Sequence, residues 1–398
     1  MATNNNDKTL NVPHLRFPEF TGEWEKYKLS EMCSFFSGGT PSSSKKEYYD
    51  GNIPFIRSGE LHDDQTELFI TEDGLKNSAA KMVEVGDLLL ALYGATSGDI
   101  AISKINGAIN QAILCIRTEQ SKKFIESIWY KHAGKLLQTY LQGGQGNLSA
   151  DIVKNISFYF ATIEEQKKLA KFISLLDERI STQNKIIEKL QSLIKGLNNN
   201  IHKGIKGETV CFSDLGEAYS GLSGKGGDDF GYGEPFITYM NVYQNTYISE
   251  KDYELVQIAP NEKQNSVQYG DALFTLSSET PEEVGIGAVY LGNTQKFYLN
   301  SFCFGIHFYD ERVLPQYLAH FISSSSFRKA IYPLAQGSTR FNLQKNDFMR
   351  MKFLLPTLEK QGRTANTLDA LHCRLANEKS LTEQCILLKK YLLSQMFI

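Results

Sequence analysis

The sequence lacks the features that would mark a membrane, secreted or zinc-binding protein. Its apolar run DLLLALYGA is far shorter than the roughly 18 residues of a membrane span. The N-terminal stretch MATNNNDKTLNVPHL has no basic-then-apolar signal pattern, so a cytoplasmic protein is expected. The six cysteines are scattered without a CxxC pair, and this spacing favours free thiols over a zinc site or a disulfide framework.

Catalytic motifs are absent as well. The sequence contains no HExxH and no GxSxG motif, and its seven histidines have no metal-ligand spacing. It also has no two consecutive prolines, so the Asn/Asp-Pro-Pro-aromatic motif of amino-methyltransferases is absent. The stretch YSGLSGKGG fails as a phosphate-binding loop, because the pattern needs glycine at Tyr219 and serine or threonine at Gly226. These absences argue against an enzyme without excluding one, and no residue is assigned as catalytic or as a metal or cofactor ligand. The net charge of −3 also argues against a free-standing DNA-binding protein, which usually carries a basic excess.

The sequence does contain one stretch of about 20 residues twice, once in each half of the chain, and each copy is called an ending below. Residues 161–180 read ATIEEQKKLAKFISLLDERI, and residues 356–375 read PTLEKQGRTANTLDALHCRL. Each has threonine, an aliphatic residue, glutamate, one further residue and glutamine, followed by a helical run that reaches an arginine. The two glutamines, Gln166 and Gln361, are 195 residues apart. A repeat at this distance indicates two copies of one unit.

Weaker matches precede the two endings in the same order in both halves. Their offsets are 183, 181, 184, about 190 and 195 residues, as expected for diverged copies with loop insertions. The matched pairs are YKLSEMCSFFSG with VCFSDLGEAYSG, GNIPFI with YGEPFI, VGDLLLAL with YGDALFTL, SGDIAI and AINQAI with IGAVYL and YLNSFC, and GNLSAD with FNLQKN.

Each half therefore contains a globular stretch followed by a long helix. Short β-type runs between Gly, Asn and Ser turns, with a helical piece late in each stretch, predict an α+β fold with two pseudo-repeated globular α/β domains. The predicted divisions are an N-terminal segment 1–24, a first domain 25–161, a first helix 162–207, a second domain 208–356 and a second helix 357–398.

The two endings predict long helices with an apolar seam. At about 1.5 Å per residue, a helix over residues 163–201 would form a rod of roughly 55 Å. In the first helix the apolar residues are spaced 3 and 4 apart, as in a heptad repeat, and Gln183 is the one polar residue in this series. In the second helix the heptad phase shifts by one residue after Leu375. We expect the helices to pair as a coiled coil, although each could instead pack on its own domain. The seam residues are Ile173, Leu176, Ile180, Ile187, Leu190 and Ile194 in the first helix, and Leu368, Leu371, Leu375, Leu381 and Leu388 in the second.

Three loops combine polar, aromatic and basic residues. They are SGGTPSSSKKEYYDGNIPFIRSGEL (37–61), LQGGQGNLS (141–149) and AQGSTRFNLQKN (335–346). Lysine, arginine and serine suit phosphate contacts, whereas asparagine, glutamine and arginine suit base edges. These loops could also be ordinary solvated loops.

With this architecture, the chain resembles the specificity subunit of a type I restriction–modification system over nearly its whole length. No single motif is decisive, but the order and the duplication are specific. One departure is that Lys360 and Gly362 replace Glu165 and Lys167 in the second ending. The resemblance rests on LRFPEFTGEWEKYKLSEM (15–32), GGTPSSSKKEYYDGNIPFIRSGEL (38–61), YGATSGDIAISKINGAINQAI (93–113), TLSSETPEEVGIGAVYL (275–291) and the endings at 163–197 and 358–393.

The resemblance implies two target-recognition domains separated by two antiparallel helices that form a spacer. Each domain would read one half of a bipartite, asymmetric DNA sequence. A rod of roughly 55 Å would allow half-site centres about 10 to 15 base pairs apart. The chain itself would be non-catalytic. Two modification (methyltransferase) subunits would dock on the helices and bring S-adenosylmethionine for adenine methylation, and two restriction (motor–nuclease) subunits would use ATP and Mg.

Loop position and residue type select the candidate DNA contacts within this scheme. They are Lys45, Lys46, Tyr48, Arg57, Ser58, Gln145 and Asn147 in the first domain, and Lys225, Tyr239, Asn241, Thr280, Arg340 and Asn342 in the second. Two alternatives remain open at this stage. The chain could be a coiled-coil scaffold without DNA readout, or a diverged DNA-modifying enzyme that turns over alone.

Overall fold

The computed structural model describes residues 10–141 and 147–398 of the chain. The chain divides into two compact units. The first comprises the chain up to Asn184 together with Ser380–Ile398, and the second comprises Lys185–Lys379. Each unit therefore contains one globular domain and a part of each long helix.

The first unit is built on one antiparallel sheet, one mixed sheet and a two-stranded ribbon. Its strands are β1 Glu25–Lys28, β2 Ser34–Ser37, β3 Tyr49–Ile56, β4 Phe69–Ile70, β5 Lys81–Val83, β6 Leu88–Ala91, β7 Ile100–Ile102, β8 Gly107–Ile109, β9 Ile113–Arg117 and β10 Ser157–Phe160. Its helices are α1 Leu29–Met32, α2 Glu72–Lys76, α3 Lys122–Leu141 and α4 Ala150–Asn155, followed by the long α5 Ile163–Lys203. The sheet orders are β2-β9-β6-β7 and β4-β3-β8-β5, and β1 pairs with β10. The all-apolar strand β6 is buried along its whole length, as a central strand requires.

The second unit is built from the corresponding elements. Its strands are β11 Glu208–Cys211, β12 Gly216–Ser220, β13 Phe230–Ile237, β14 Tyr253–Val256, β15 Ala272–Thr275, β16 Ser277–Ser278, β17 Gly287–Val289, β18 Tyr298–Leu299, β19 Cys303–Phe308, β20 Ala335–Gln336, β21 Phe341–Leu343 and β22 Lys352–Leu355. Its helices are α6 Phe212–Leu215, α7 Tyr239–Gln244, α8 Pro315–Ile322, α9 Ser325–Ile331 and α10 Lys345–Met349, followed by the long α11 Leu358–Met396.

The two units share the central part of their topology. The order β12-β19-β15-β17 repeats β2-β9-β6-β7, the order β14-β13-β18 repeats β4-β3-β8, and the ribbon of β11 and β22 repeats that of β1 and β10. In both units one strand pair is parallel, with Phe55 opposite Ala108 in the first and Phe236 opposite Tyr298 in the second. The prediction of two pseudo-repeated α+β domains is therefore confirmed.

The glutamine of the first repeated ending is buried and bridges two backbone segments, an arrangement called a clamp below. Gln166 is fully buried, and its Nε2 donates to Ala161 O at 2.9 Å. Its Oε1 accepts the backbone N–H of Ser121 at 3.2 Å, immediately before α3. One side chain therefore satisfies the start of α3 and ties it to the start of α5.

The second glutamine repeats this arrangement. Gln361 is fully buried, donates to Pro356 O at 2.8 Å and accepts the N–H of Leu314 at 2.8 Å, immediately before α8. Its Nε2 also donates to Arg312 O at 2.7 Å. The sequence keeps glutamine in both copies because only a side chain with both a donor and an acceptor closes this junction.

Removing one clamp should destabilise its unit. We expect Gln361→Ala to lower the free energy of unfolding by about 2 kcal/mol, because buried backbone groups of Leu314 and Pro356 lose their partner. Denaturant titration followed by circular dichroism measures this change. Gln384→Ala, at an exposed position of the same helix, is the control and should change it by less than about 0.5 kcal/mol. Equal losses in both variants would contradict the clamp.

The seam of α5 follows the predicted heptad. Ile173 and Ile194 are buried, and the seam positions between them are buried or half-buried. Gln183 is only 1% exposed, so the polar residue lies in the seam rather than outside it. All six predicted seam residues of α5 lie on this side of the helix.

The predicted seam of α11 needs a correction. Leu368 and Leu375 are buried, but Leu381 is 37% exposed and Leu388 is 48% exposed. The buried side continues from Leu375 through a set of buried and half-buried positions spaced 3 and 4 apart, so the phase does not slip. Those positions are Glu378, Thr382, Cys385, Lys389, Leu392 and Met396. Apolar periodicity alone could not identify a seam that passes through glutamate and threonine.

The long helices run antiparallel, and each unit contributes part of the evidence. In the first unit, Asp177 of α5 pairs with Lys389 of α11 at 2.5 Å. In the second, Ile194 and Leu375 line one cavity. Higher residue numbers in α5 thus correspond to lower numbers in α11, and the predicted coiled coil is confirmed.

The end of α11 does not pack on its own domain. Phe397, immediately after it, is 1% exposed in the core of the first unit. Its ring centroid lies 5.4 Å from that of Phe124 and 6.3 Å from that of Trp24. The alternative in which each helix packs only on its own domain is therefore wrong.

Candidate nucleic-acid interface

Asn147 and Asn342 occupy equivalent positions in the two units. The leucine after each asparagine donates its backbone N–H to a carbonyl at the end of a core strand. The two bonds run from Leu148 to Leu92 O at 2.8 Å and from Leu343 to Leu276 O at 2.9 Å. Residues 147–151 and 342–346 thus occupy equivalent positions in their units.

The first domain brings several loops to the edge where these strands end. The parallel strands β3 and β8 pair Ile56 with Ile109, so the residues that follow them meet at one edge of the sheet. Leu92 donates to Ala112 O at 2.7 Å, which brings the end of β6 to the same place. The first edge is defined here by Arg57, Ser58, Tyr93, Gln111 and Asn147.

The second domain forms the equivalent edge around Ser277. Asn342 is the strand partner of Ser277, and Tyr239 donates its hydroxyl to Ser277 O at 2.9 Å. The guanidinium of Arg340 lies over the ring of Phe302, 5.9 Å from its centroid. Thr280 follows β16 in an exposed position. The second edge is defined here by Tyr239, Thr280, Phe302, Arg340 and Asn342, four of which were predicted from the sequence.

The second edge carries both donors and acceptors. Arg340 and Asn342 are exposed and can donate to phosphate or to base edges. Glu283 accepts from Tyr243 at 2.7 Å and from Ser278 at 3.1 Å. These hydrogen bonds, led by that of Tyr243, lower the pKa of Glu283 and keep it an acceptor. An ionised acceptor together with the donors of Arg340 and Asn342 suits base edges, which present both kinds of group.

Two predicted contacts of the second domain use their polar groups internally. Lys225 pairs with Glu262 at 2.6 Å, and its hydrogen bond lowers the pKa of Glu262 to about 2. Asn241 is fully buried and donates to Ser249 O at 2.8 Å and to Asp252 O at 2.5 Å. Both roles in DNA binding stay predictions, but these side chains already have partners within the domain.

The lysines and the tyrosine of the first loop differ in exposure. Lys45 donates to the hydroxyl of Tyr48 at 2.8 Å and lies 4.8 Å from the centroid of its ring. The hydrogen bond raises the pKa of Lys45, so this amine stays charged. Tyr48 is buried, whereas Lys46 is exposed. The pair presents a positive charge at the surface, while the role of each residue in DNA binding stays a prediction.

Arg57 is held by two carboxylates. Its guanidinium lies 2.7 Å from Glu60 and 2.7 Å from Glu67. Burial raises the pKa of Glu60, but hydrogen bonds led by that of Arg57 bring it down to about 2. Ser58 is half-buried beside this group. Gln145, the remaining predicted contact of the first domain, lies outside the described residues.

Exposed apolar side chains at or next to these edges are not among the contacts predicted from the sequence. Phe302 is 56% exposed, Met240 is 46% exposed and Tyr93 is 38% exposed. Such side chains can contact thymine methyl groups or insert between base steps. An aromatic residue in a Gly- and Ser-rich turn, as in YGATSGD, is the signal that could have indicated Tyr93.

Replacing Arg340 should weaken DNA binding without unfolding the domain. We expect Arg340→Ala to lower the affinity of the assembled complex for its target about tenfold, and to reduce the salt slope by about one. Fluorescence anisotropy at several salt concentrations measures both. Arg363→Ala, an exposed arginine on α11, is the control and should leave the slope unchanged. An unchanged slope in Arg340→Ala would remove this residue from the interface.

The described residues contain neither a candidate metal site nor a candidate membrane-spanning helix. Among residues 10–141 and 147–398, no group of His, Cys, Asp and Glu side chains could hold a metal ion. No helix in these same ranges has an apolar stretch long enough to cross a membrane.

A duplicated edge of exposed polar and aromatic side chains is typical of a protein that reads DNA sequence. A family model described as "Type I restriction modification DNA specificity domain" matches residues 21–192 and again residues 206–385. The chain belongs to this family, with two copies of its domain. The chain is thus a type I specificity subunit, a non-catalytic component.

Individual specificity subunits are similar to the whole chain or to part of it. The MjaVIII specificity subunit of Methanocaldococcus jannaschii is 22% identical over 422 residues, which cover 96% of this chain and 92% of that protein. The EcoR124I/EcoR124II specificity subunit of Escherichia coli is 26% identical over 187 residues, which cover 44% of this chain and 45% of that protein. The longer match spans both domains and both helices of this chain.

Solved structures have the same fold. The type I restriction–modification S subunit from M. genitalium superposes with a TM-score of 0.58 at 12% identity, over 97% of this chain and 99% of that one. A chain from a structure of complex assembly and conformational transition of the type I R-M system gives 0.60 at 15% identity, over 94% and 97%.

Proposed function

We propose that each target-recognition domain reads one half of a bipartite, asymmetric DNA sequence through its edge. The observation that carries the proposal is the duplicated topology, which presents equivalent loops at the same strand ends in both units. Because the residues at the two edges differ, the two half-sites would differ in sequence. Two recognition domains within one chain would bind two half-sites, as the two subunits of a symmetric dimeric DNA-binding protein do.

The long helices would set the gap between half-sites and dock the modification subunits. Helix α5 has 41 residues, which corresponds to roughly 60 Å at 1.5 Å per residue. Leu193 of α5 is 53% exposed, and Leu388 of α11, 195 residues further on, is 48% exposed. Large apolar side chains exposed at equivalent positions suit a partner that binds twice.

The chemistry would belong to the partners. Two modification subunits would bind S-adenosylmethionine and methylate adenine, and two restriction subunits would use ATP and Mg to move along and cut DNA. Net charge of −3 on this chain fits such a division, because partner subunits can supply phosphate contacts. The complex would act in the cytoplasm, on DNA that has entered the cell.

Modified-base sequencing tests this proposal. The chain and its modification partner are expressed in a strain without other DNA methyltransferases, and the genome is sequenced for methylated adenine. We expect one gapped motif with two unlike halves. Turnover by the purified chain alone would favour a diverged enzyme, and an assembled methyltransferase without any sequence motif would favour a scaffold.

A further inference from the structure

Each unit has a slot beside its two-stranded ribbon. The first slot, in the first unit, has a volume of about 410 Å³ and lies between β10, α3 and Ile398, two residues after the end of α11. Phe158 and Tyr159 of β10 and Leu136 of α3 form apolar walls. The nitrogen-bearing side chains that line it are Lys26, His132 and Lys135.

The second slot, in the second unit, has a volume of about 250 Å³ and lies between β22, α9 and the end of α5. Phe353 and Leu354 of β22 and Ala330 of α9 form its apolar walls. The nitrogen-bearing side chains that line it are His202, Lys203 and Lys352.

The two slots are equivalent in the repeat. The ribbons have the same register, with Glu25 opposite Phe160 and Glu208 opposite Leu355. A residue at or just beyond the end of the long helix of the other half closes each slot. It is Ile398, two residues after α11, in the first slot and Lys203, the last residue of α5, in the second. These two residues are 195 apart, the same offset as the clamp glutamines.

The two slots share a cationic character, although their residues differ and Nε2 of His132 lies 2.8 Å from Ile398 O. Each is lined by two lysines and one histidine, and no aspartate or glutamate side chain lines either slot in the described part of the chain. All four lysines are exposed at the rims. An apolar floor with a cationic rim complements an apolar side chain flanked by carboxylates. The sugar–phosphate backbone of DNA carries the charge but no apolar group to fill the floor.

The second slot also holds an unused hydrogen-bond acceptor. His202 is 5% exposed, and its Nδ1 lies 2.8 Å from Asn198 O. Because a carbonyl oxygen only accepts, Nδ1 carries the proton and Nε2 is left as an acceptor. Within the described residues, this buried Nε2 has no hydrogen-bond partner. An N–H or O–H group of a bound segment would satisfy it.

We propose that each slot receives the same segment from one copy of the modification subunit, an exposed apolar side chain flanked by acidic residues. The proposal rests on the proposed function, in which two modification subunits bind this chain. Because the chain contains two equivalent slots, we expect the same partner segment to be present in two copies. The slots would add contacts at the ribbons to those that the long helices make.

Charge reversal at the rims tests the slots one at a time. Lys26→Glu with Lys135→Glu changes the first slot, and Lys203→Glu with Lys352→Glu changes the second. The control, Lys76→Glu with Lys251→Glu, alters one exposed lysine of each unit outside the slots. Native mass spectrometry of complexes with the modification subunit counts the bound copies. We expect two copies with the wild type and the control, one copy with either slot variant, and at least a tenfold loss of affinity for the missing copy.

A second variant separates charge from shape. Ala330→Trp fills the second slot without changing charge and should also leave one bound copy. If all variants bind two copies with wild-type affinity, the slots are not docking sites and the proposed function stands. If the wild-type chain binds no modification subunit at all, the proposed function and the slots are both overturned.

Discussion

Replacing Leu368 with aspartate is expected to unfold the second unit. Leu368 lies on α11 and is fully buried. The substitution removes the packing of a buried leucine, worth about 2 to 5 kcal/mol, and places a carboxylate where water cannot solvate it. A total loss above about 4 kcal/mol would consume much of the stability of an ordinary domain, about 5 to 15 kcal/mol. Circular dichroism and limited proteolysis measure the result.

Leu388→Asp on the same helix is the matched control for this prediction. The substitution is chemically identical, but Leu388 is 48% exposed. We expect its unfolding free energy to stay within about 1 kcal/mol of the wild type. If Leu368→Asp were as stable as Leu388→Asp, the burial that defines the seam of α11 would be contradicted.

Replacing both Leu193 and Leu388 with aspartate is expected to abolish docking of the modification subunits while the chain stays folded. Each side chain is exposed at an equivalent helix position, so neither unit loses core packing. Truncating an interface anchor typically costs more than 2 kcal/mol, and a charge in an apolar contact adds desolvation. Together these effects should lower the affinity at least a hundredfold. Co-purification and sequencing of methylated DNA measure the loss.

The control for docking uses a second equivalent pair. Glu188 and Glu383 are exposed on the same two helices and are also 195 residues apart. Glu188→Ala with Glu383→Ala should leave docking and methylation close to wild type. If the leucine variants still bind two modification subunits with wild-type affinity, the docking role of these helix faces is wrong.

The architecture could be predicted because duplication is visible in the sequence itself. Gln166 and Gln361 mark the same junction, and Asn147 and Asn342 lie at the same strand ends. The seam of α5 followed from apolar spacing alone. These features are local patterns repeated at a fixed distance, and such patterns need no tertiary information.

Features that depend on tertiary partners could not be predicted. Apolar spacing after Leu375 favoured Leu381, but the chain buries Thr382 instead. The ion pair of Lys225 with Glu262, 37 residues further along the chain, is not visible in the sequence. The same holds for the hydrogen bond from buried Asn241 to Ser249 O, and the roles of both residues in DNA binding stay predictions. A polar residue in a loop can stabilise the fold or bind a ligand, and the sequence does not show which hydrogen-bond or ion-pair partner it has.

The central claim is that each domain reads its own half of the target, and a domain exchange tests it most directly. Residues 208–355 are replaced by those of another specificity subunit, and methylated adenines are mapped genome-wide in cells carrying the native or the exchanged chain. We expect a gapped motif in which one half changes and the other half is kept. A methylated motif that is identical in both strains would contradict it, because the second domain would then not read DNA.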